Sequence, residues 1–294
     1  MGLRNVEMEV LKNPSNFRKM AMGNWDGTGD PQIYGTLELD CVQALAYLAR
    51  LRQEHNVHVT VNHLIGRIMA LVLRRYPQIN GLISCGKVCL RKNVDIFFQV
   101  GIENAETELV GICVKDGDKK GLIEFTKEML AHTEAVRSSA NHPMRKTQRP
   151  FRHMPWRVAR WMVKFISWLQ YDVNLNLSGL GIPKDPLGSI MITAIGTLGF
   201  EFVFVPLTHI GRTPMQIAVG KATPRAVVVD NQIVIRPQLT LACTLDHRFV
   251  DGVLGSKMAK MLKELFENVE KHHGLIEGTV PLDNYQIFPP KTDK

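Results

Sequence analysis

The segment LTLACTLDHRFVDGVLGSKMAKML, residues 239–262, carries the strongest structural and chemical signal in this sequence. Its pattern predicts a strand that ends near Asp246 and a helix that begins after Gly252. His247 lies in the short turn between them, where a rigid support can direct an imidazole outward. Charged neighbours, Arg248 among them, can fix such a turn and leave the imidazole neutral, as a general base near pH 7 requires. The turn therefore predicts a catalytic base, with a purely structural turn residue as the alternative.

Outward from this segment, the patterning predicts one α/β domain. Residues 32–40 alternate as a strand does, and Asp230-Asn231 is typical of a hairpin turn between two strands. Apolar residues recur at helical spacing in the segments 40–56, 59–80 and 121–139. We divide the chain into an N-terminal arm (1–30), a main domain (31–270) with a basic helical insertion (about 137–187), and a C-terminal tail (271–294).

The motif DHRFVDG, residues 246–252, resembles the HRxxDG signature of dihydrolipoyl acyltransferase cores and the HHxxxDG signature of chloramphenicol acetyltransferases. The similarity extends from about residue 16 to 270 through further segments in the family's order: VTVNHLIGRIMALVLRRYPQINGLI, VCLRKNVDIFFQVGI, KDGDKKGLIEFTKEM, GSIMITAIGTLG and TPMQIAVGKATPRAVVVD. The resemblance implies a two-layer α/β fold of the chloramphenicol acetyltransferase type, a mixed sheet with helices packed on it, in a trimer. It makes residues 31–270 an acyltransferase catalytic domain.

The resemblance also assigns roles to individual residues. His247 corresponds to the histidine that deprotonates the attacking thiol or hydroxyl, and Thr193 to the hydroxyl that hydrogen-bonds the tetrahedral oxyanion. Asp251 takes the acidic position of the motif, and Arg18 is similar to an N-terminal arginine that pairs with that position. Asn80 matches an asparagine of the family and is expected to bind substrate, to order a loop, or to cap the helix after Pro77. In this family the histidine and the hydroxyl come from neighbouring subunits, which implies a homotrimer or a higher assembly.

The implied function is transfer of an acyl group from acyl-coenzyme A or an acyl-lipoyl thioester to a thiol or hydroxyl acceptor. Such a reaction needs one base and one oxyanion donor, so neither a metal nor a covalently bound cofactor is expected. One alternative is an acetyltransferase for a small alcohol such as an antibiotic, which the HHxxxDG form of the motif would favour. A second is a non-catalytic scaffold or partner-binding protein of the same fold, against which the intact His247 and Thr193 argue.

Several features depart from the complex-forming members of the family. The sequence contains no lipoyl-type lysine hairpin, no peripheral-subunit-binding domain and no Ala/Pro linker, so a freestanding member is expected. Ala194 replaces the asparagine that usually follows the hydroxyl residue, and AETELVG (105–111) replaces a glycine-rich loop. The insertion at 137–187 has no counterpart there, so the acyl donor and the acceptor are not assigned.

The insertion also accounts for the formal net charge of +8. The segment from Arg137 to Tyr171 contains eight basic residues and no acidic one, whereas the rest of the chain is balanced. The charge is therefore local, and nucleic-acid binding is not predicted.

Within the insertion, PWRVARWMVKFISWLQYD (155–172) predicts an amphipathic helix. Basic residues share one narrow face, Met162 and Phe165 belong to the apolar face, and Trp161 and Trp168 lie at the border. Three interpretations stay open: a helix packed on the domain, a membrane-surface helix across 155–171, and a lid or partner-docking helix.

The composition is that of a soluble globular protein, with 45% apolar and 22% charged residues. The sequence has neither a membrane-spanning apolar run nor a signal-peptide core, so a cytoplasmic location is expected, with peripheral membrane contact as a further possibility. Its five cysteines form no CxxC pair and predict neither a zinc site nor a disulfide framework. His63 is expected to be a satisfied core residue, and His272 and His273 to be solvated.

Overall fold

The computed structural model of the chain describes residues 4–10, 12, 31–101, 109–138, 155–208 and 210–288. Arg18 lies outside the described residues, as do most of the predicted arm and the first part of the insertion. Among the described residues, no helix combines the length and the apolar character that crossing a membrane requires.

A seven-stranded mixed sheet forms one layer of the fold, with strand order β2-β10-β8-β7-β5-β6 and β9 paired to β10. Strand β7 runs parallel to β5 and β8, and the other pairings are antiparallel. The strands are β2 (Gln32–Asp40), β5 (Ile96–Gly101), β6 (Leu109–Val114), β7 (Ile190–Ala194), β8 (Met215–Val219), β9 (Thr223–Val229) and β10 (Gln232–Asp246). The predicted mixed sheet is confirmed.

A second, three-stranded sheet has the order β1-β4-β3. It consists of β1 (Met8–Val10), β3 (Gly81–Ser84) and β4 (Lys87–Arg91). Strand β1 belongs to the segment predicted as an irregular arm, and its partner β4 lies about eighty residues further along the chain. Cys85 and Gly86 form the turn between β3 and β4 with φ values of 47° and 72°, and Cys85 is exposed there.

The helices form the second layer, and most of them pack on one face of the large sheet. They are α1 (Val42–His55), α2 (Val61–Arg75), α3 (Leu122–Ser138), α4 (Trp156–Tyr171), α5 (Gly252–Glu267) and the short α6 (His273–Ile276). The main core joins the sheet to α1, α2, α3, α5 and α6. Helix α2 is buried over most of its length and ends at Arg75, two residues before Pro77, because proline cannot continue a helix.

Several of the described residues predicted as a C-terminal tail belong to the core. Leu275 and Ile276 are buried, and their carbonyls accept hydrogen bonds from the buried guanidinium of Arg67 at 2.9 and 3.0 Å. His272, expected to be solvated, is fully buried between Tyr285 and Glu264, whose oxygen atoms lie 2.9 and 3.1 Å from its ring nitrogens. The prediction for His272 was wrong because neither partner is close to it in sequence.

Helix α4 packs on the domain through the fully buried Tyr171 and through two polar residues. The Ser167 hydroxyl donates to the Ile210 carbonyl at 3.0 Å, and the Gln170 amide donates to the Pro183 carbonyl at 3.1 Å. Both side chains are buried, whereas Phe165 on the predicted apolar face is exposed. The helix is therefore amphipathic as predicted, but it buries Ser167, Gln170 and Tyr171, whereas Trp161, Phe165 and Trp168 are exposed.

Candidate active site

His247 follows the last residue of β10, and the backbone holds it on both sides. Its N–H donates to the Pro31 carbonyl at 2.8 Å, and its ring Nδ1 lies 2.9 Å from the Val250 carbonyl oxygen. A carbonyl only accepts hydrogen bonds, so this contact assigns the proton to Nδ1. The basic nitrogen of the neutral ring is then Nε2, which can take a proton from an attacking group.

The turn around His247 is fixed by the predicted charge pair. The buried carboxylate of Asp246 accepts from the Arg248 guanidinium at 2.7 and 3.0 Å and from the Arg248 backbone N–H at 2.9 Å. The Asp246 carbonyl in turn accepts from the N–H groups of Phe249 and Val250. Arg248 thus stabilises the turn by binding Asp246, which lies two residues before it in the same turn.

Asp251 begins helix α5. Its carboxylate accepts from the Leu254 N–H at 2.7 Å, the geometry of a helix N-cap. This contact orients the carboxylate, and it also anchors the turn whose other end is β10. The arginine expected to pair with Asp251, Arg18, lies outside the described residues.

Thr193 lies near the end of β7, on the face of the sheet opposite the helices, since its neighbour Ile192 belongs to the main core. In register, Thr193 pairs with Ala218 of β8, which pairs with Ala242 of β10. His247 comes five residues after Ala242, so it lies about 17 Å along the sheet and two strand spacings to the side. Within one chain the two residues are therefore about 20 Å apart and do not meet.

Asn80 is buried, with 2% of its surface exposed. Its amide donates to the Asn93 carbonyl at 2.8 Å, across the connection that follows β4. This contact corresponds to the loop-ordering role that the sequence left open beside substrate binding.

A polar cavity of about 340 Å³ adjoins the histidine turn and was not predicted. Two ion pairs line it: Asp246 with Arg248, and Asp172 with Arg212. Hydrogen bonding to Arg212 holds the pKa of the Asp172 carboxyl below its ordinary value. No sequence signal marks Arg212, because Asp172 belongs to the insertion and comes forty residues earlier.

Residues 20–148 and 186–273, more than half of the chain, match the family described as 2-oxoacid dehydrogenases acyltransferase (catalytic domain). A curated relative is the dihydrolipoyllysine-residue succinyltransferase component of the 2-oxoglutarate dehydrogenase complex of Rickettsia felis. It is 44% identical over 238 residues, which cover 80% of this chain and 48% of that protein. The chain spans about half the length of the curated relatives it matches.

Solved structures with the same fold have lower identity. The probable dihydrolipoamide acetyltransferase of Listeria monocytogenes is 17% identical, with a TM-score of 0.59 over 95% of this chain and 98% of that one. The dihydrolipoamide acetyltransferase of Azotobacter vinelandii is also 17% identical, with a TM-score of 0.59 over 90% and 93%. A chloramphenicol acetyltransferase is 14% identical, with a TM-score of 0.53 over 88% and 100%. The predicted fold is confirmed.

Proposed function

This chain belongs to the 2-oxoacid dehydrogenase acyltransferase catalytic-domain family, and from that membership we propose that it transfers an acyl group from a thioester to a thiol or hydroxyl acceptor. The donor is an acyl-coenzyme A or an acyl-lipoyl group, which binds as a substrate. The site is formed by His247 of one subunit and Thr193 of its neighbour.

One observation carries the proposal of a shared site. Thr193 and His247 lie at opposite ends of the same sheet, about 20 Å apart, so a single chain cannot bring both to one carbonyl. A cyclic assembly solves this problem, because a head-to-tail contact brings the Thr193 end of one copy against the His247 end of the next. We propose a trimer as the assembly that closes this ring.

The chemistry then requires only the groups at that contact. Nε2 of His247 takes the proton of the acceptor thiol or hydroxyl as the acceptor bonds to the thioester carbon. The Thr193 hydroxyl donates to the oxyanion that forms on the carbonyl oxygen. The intermediate then collapses, the carbon–sulfur bond breaks, and the imidazolium returns the proton to the leaving thiolate. Val250, which accepts from Nδ1, holds the ring in the required tautomer throughout.

The Azotobacter vinelandii enzyme supports these assignments. A serine, a histidine and an asparagine are named in its catalytic mechanism, and the asparagine follows the histidine by four residues. Here Asp251 follows His247 by four residues, and Thr193 precedes His247 by about fifty, as the serine does there. We propose that Asp251 contributes to the site from this position by fixing the turn.

Mixed trimers test the shared site. His247→Ala and Thr193→Ala proteins are each expected to lose most of their activity when expressed alone, but co-expressed subunits should recover activity above the level of either variant. In a randomly mixed ring about a quarter of the contacts join an intact His247 to an intact Thr193, so about a quarter of wild-type turnover should return. Turnover is measured with an acyl-coenzyme A and a dihydrolipoyl acceptor.

The two alternatives give different results in the same assay. If mixed trimers form but recover no activity, the two residues do not share a site and the proposed mechanism fails. A wild-type protein that assembles but transfers no acyl group favours the non-catalytic scaffold. Transfer to a small alcohol but not to a thiol favours the antibiotic-type acetyltransferase.

Helix α4 carries a second proposal, contact with an anionic membrane surface. Trp161, Phe165 and Trp168 are 76%, 57% and 48% exposed, and the rings of Phe165 and Trp168 stack with centroids 5.9 Å apart. Exposed basic residues of the same helix surround them. Aromatic rings beside arginine and lysine are typical of helices that lie in the headgroup region of a bilayer. The cytoplasmic location itself stays a prediction.

Vesicle flotation tests the membrane contact. The protein should float with phosphatidylglycerol vesicles, and added salt should weaken this, since such attraction is screened within about 8 Å at physiological ionic strength. The triple variant Trp161→Ala/Phe165→Ala/Trp168→Ala should no longer float. The matched control replaces three exposed apolar residues of the β9–β10 hairpin, Val228, Ile233 and Ile235, by alanine. If the helix variant instead changes the oligomeric state and flotation is absent, the face contacts another copy.

A further inference from the structure

An apolar cavity of about 380 Å³ lies between strands β2 and β10 and helix α5. It lies on the core side of the sheet. Protein interiors normally contain few voids larger than a water molecule, so a space of this size needs an explanation. Its volume falls in the range of cavities that bind small molecules.

The cavity exists because small residues face one another across it. Gly35 of β2 pairs in register with Cys243 of β10, at a level where neighbouring positions carry leucine or isoleucine. Opposite them, Gly255 and Ala259 occupy successive turns of α5. A Cβ atom at Gly35 would meet no other atom within 4 Å. The space is therefore encoded by the sequence at four positions on three elements.

The cavity is continuous with the histidine turn. Val250, Asp251 and Gly252 are among its lining residues, and the Val250 carbonyl is the group that accepts from His247 Nδ1. A substrate group that enters between β2 and the start of α5 is thus beside the turn that carries the proposed base.

The lining selects the chemistry of that group. Methionine, leucine, isoleucine and valine side chains dominate the described lining, which contains no lysine or arginine. Asp251 is the one carboxylate of this lining, and it accepts from the Leu254 N–H at the start of α5. A dicarboxylic acyl group such as succinyl would place a second carboxylate in this space without a cation, which is unfavourable. A hydrocarbon chain would find apolar contacts along the cavity.

We propose that this cavity receives the hydrocarbon chain of the acyl group, so that the enzyme favours medium or longer straight-chain acyl thioesters over acetyl and succinyl ones. The proposal rests on the acyltransferase function. It assigns Gly35, Cys243 and Gly255 as the residues that set acyl-chain length, a role distinct from that of His247 and Thr193.

Two measurements test it. With one acceptor and a series of straight-chain acyl-coenzyme A donors, kcat/KM should rise about fourfold for each added methylene until the cavity is full, because each buried methylene contributes about 0.8 kcal/mol. Independently of turnover, the purified protein should bind the fluorescent fatty acid cis-parinaric acid.

Filling the cavity should remove both the dependence of kcat/KM on chain length and the binding of cis-parinaric acid. Gly35→Leu from the sheet side, and Gly255→Leu from the helix side, should each weaken probe binding by at least about 10-fold and flatten the chain-length series. Two opposite walls are tested because either substitution alone could disturb folding, which thermal melting would reveal. The matched control is Gly179→Leu, at another glycine where a Cβ atom meets nothing within 4 Å. It should keep the probe affinity and the series of the wild type.

The outcomes separate this proposal from the proposed function. His247→Ala should lose acyl transfer but keep probe binding. Probe binding that survives both leucine substitutions, or a flat chain-length series in an active wild-type enzyme, overturns the acyl-chain cavity. Probe binding that responds to both substitutions in a protein without transferase activity overturns the proposed function instead.

Discussion

The position of His247 depends little on its own imidazole. The turn is held by the backbone contact to Pro31, by the Asp246–Arg248 pair and by the cap that Asp251 provides. The ring donates a hydrogen bond to the Val250 carbonyl, and a bond of that kind contributes about 1 kcal/mol to stability. A substitution can therefore remove the imidazole of His247 without disrupting the structure of the turn.

His247→Ala should lower kcat by at least about 100-fold, the usual contribution of a general base, while the fold and the assembly persist. Thr193→Ala should lower kcat by about 10-fold to 1000-fold because it removes one oxyanion donor, and Thr193→Ser should recover much of that loss. Steady-state kinetics on a thioester that the wild type turns over measures these changes.

His132→Ala serves as the control, since it removes an exposed histidine from α3. It should leave kcat and KM unchanged. Turnover close to that of the wild type by His247→Ala would end the mechanism proposed for this site.

Sequence could predict His247 because a strand, a turn motif and a helix surround it within a few residues. The contact that assigns its tautomer could not be predicted, because Val250 contributes a backbone carbonyl rather than a side chain. Arg212 was missed for a different reason, since its partner Asp172 comes from the insertion and no local pattern joins them. Local chemistry was therefore predictable, and pairing between distant segments was not.

At the scale of elements, the start of α2 couples structure to pH. The neutral ring of His63 accepts from the Thr60 N–H at 2.9 Å through Nδ1, which completes a capping box. Burial, with smaller effects from His58 and Arg52, lowers the pKa of His63 to about 4. The expected core histidine is thus confirmed, and it also caps the helix.

This histidine predicts a loss of stability in acid. Between about pH 6.5 and pH 4 the unfolded chain binds a proton at His63 that the folded chain does not, so stability falls as the pH falls through this window. From pH 7 to pH 5 the loss from this group is about 2 kcal/mol. His63→Gln, whose amide oxygen can accept from Thr60 without titrating, should lose about that much less. Urea unfolding at fixed protein concentration, at pH 7 and pH 5, measures the difference; equal losses in the two proteins would contradict it.

Two elements also show how much of the structure a local sequence pattern predicts. Asp230 and Asn231 form the predicted hairpin turn, with φ values of 51° and 61°, because that turn type depends on two adjacent residues. Helix α4 has the predicted bounds, but the face it buries contains Ser167 and Gln170. Helical spacing identifies two faces, and only tertiary hydrogen bonds decide which one packs on the domain.

At the scale of the whole molecule, the sheet has one face covered by helices and another that the described residues of the chain cover only in part. Val203 and Val205 pack on that second face, against Ile195, Ala218 and Ala242. The family resemblance predicted the two layers, since they follow from segments that keep their order. The packing of the insertion and of the C-terminal residues could not be predicted in the same way, because partners such as Arg212 and Arg67 are distant from them in sequence.

The segment after β7 is where the neighbouring copy is expected to dock. Leu198, Phe200 and Phe202 are exposed there, with Phe202 at 53%, within ten residues of Thr193. If the partner's histidine reaches Thr193, the partner must cover these side chains, and their burial supplies the apolar part of the contact.

Phe202→Asp places a charge in that contact, so the trimer should dissociate at concentrations where the wild type is intact, and kcat should fall with it. Light scattering across a dilution series, with activity measured on the same samples, tests this. Val42→Asp, which adds the same charge at an exposed position on the helical layer, should leave both unchanged. A Phe202→Asp protein that stays fully active as a stable monomer would remove both the trimer and the shared site.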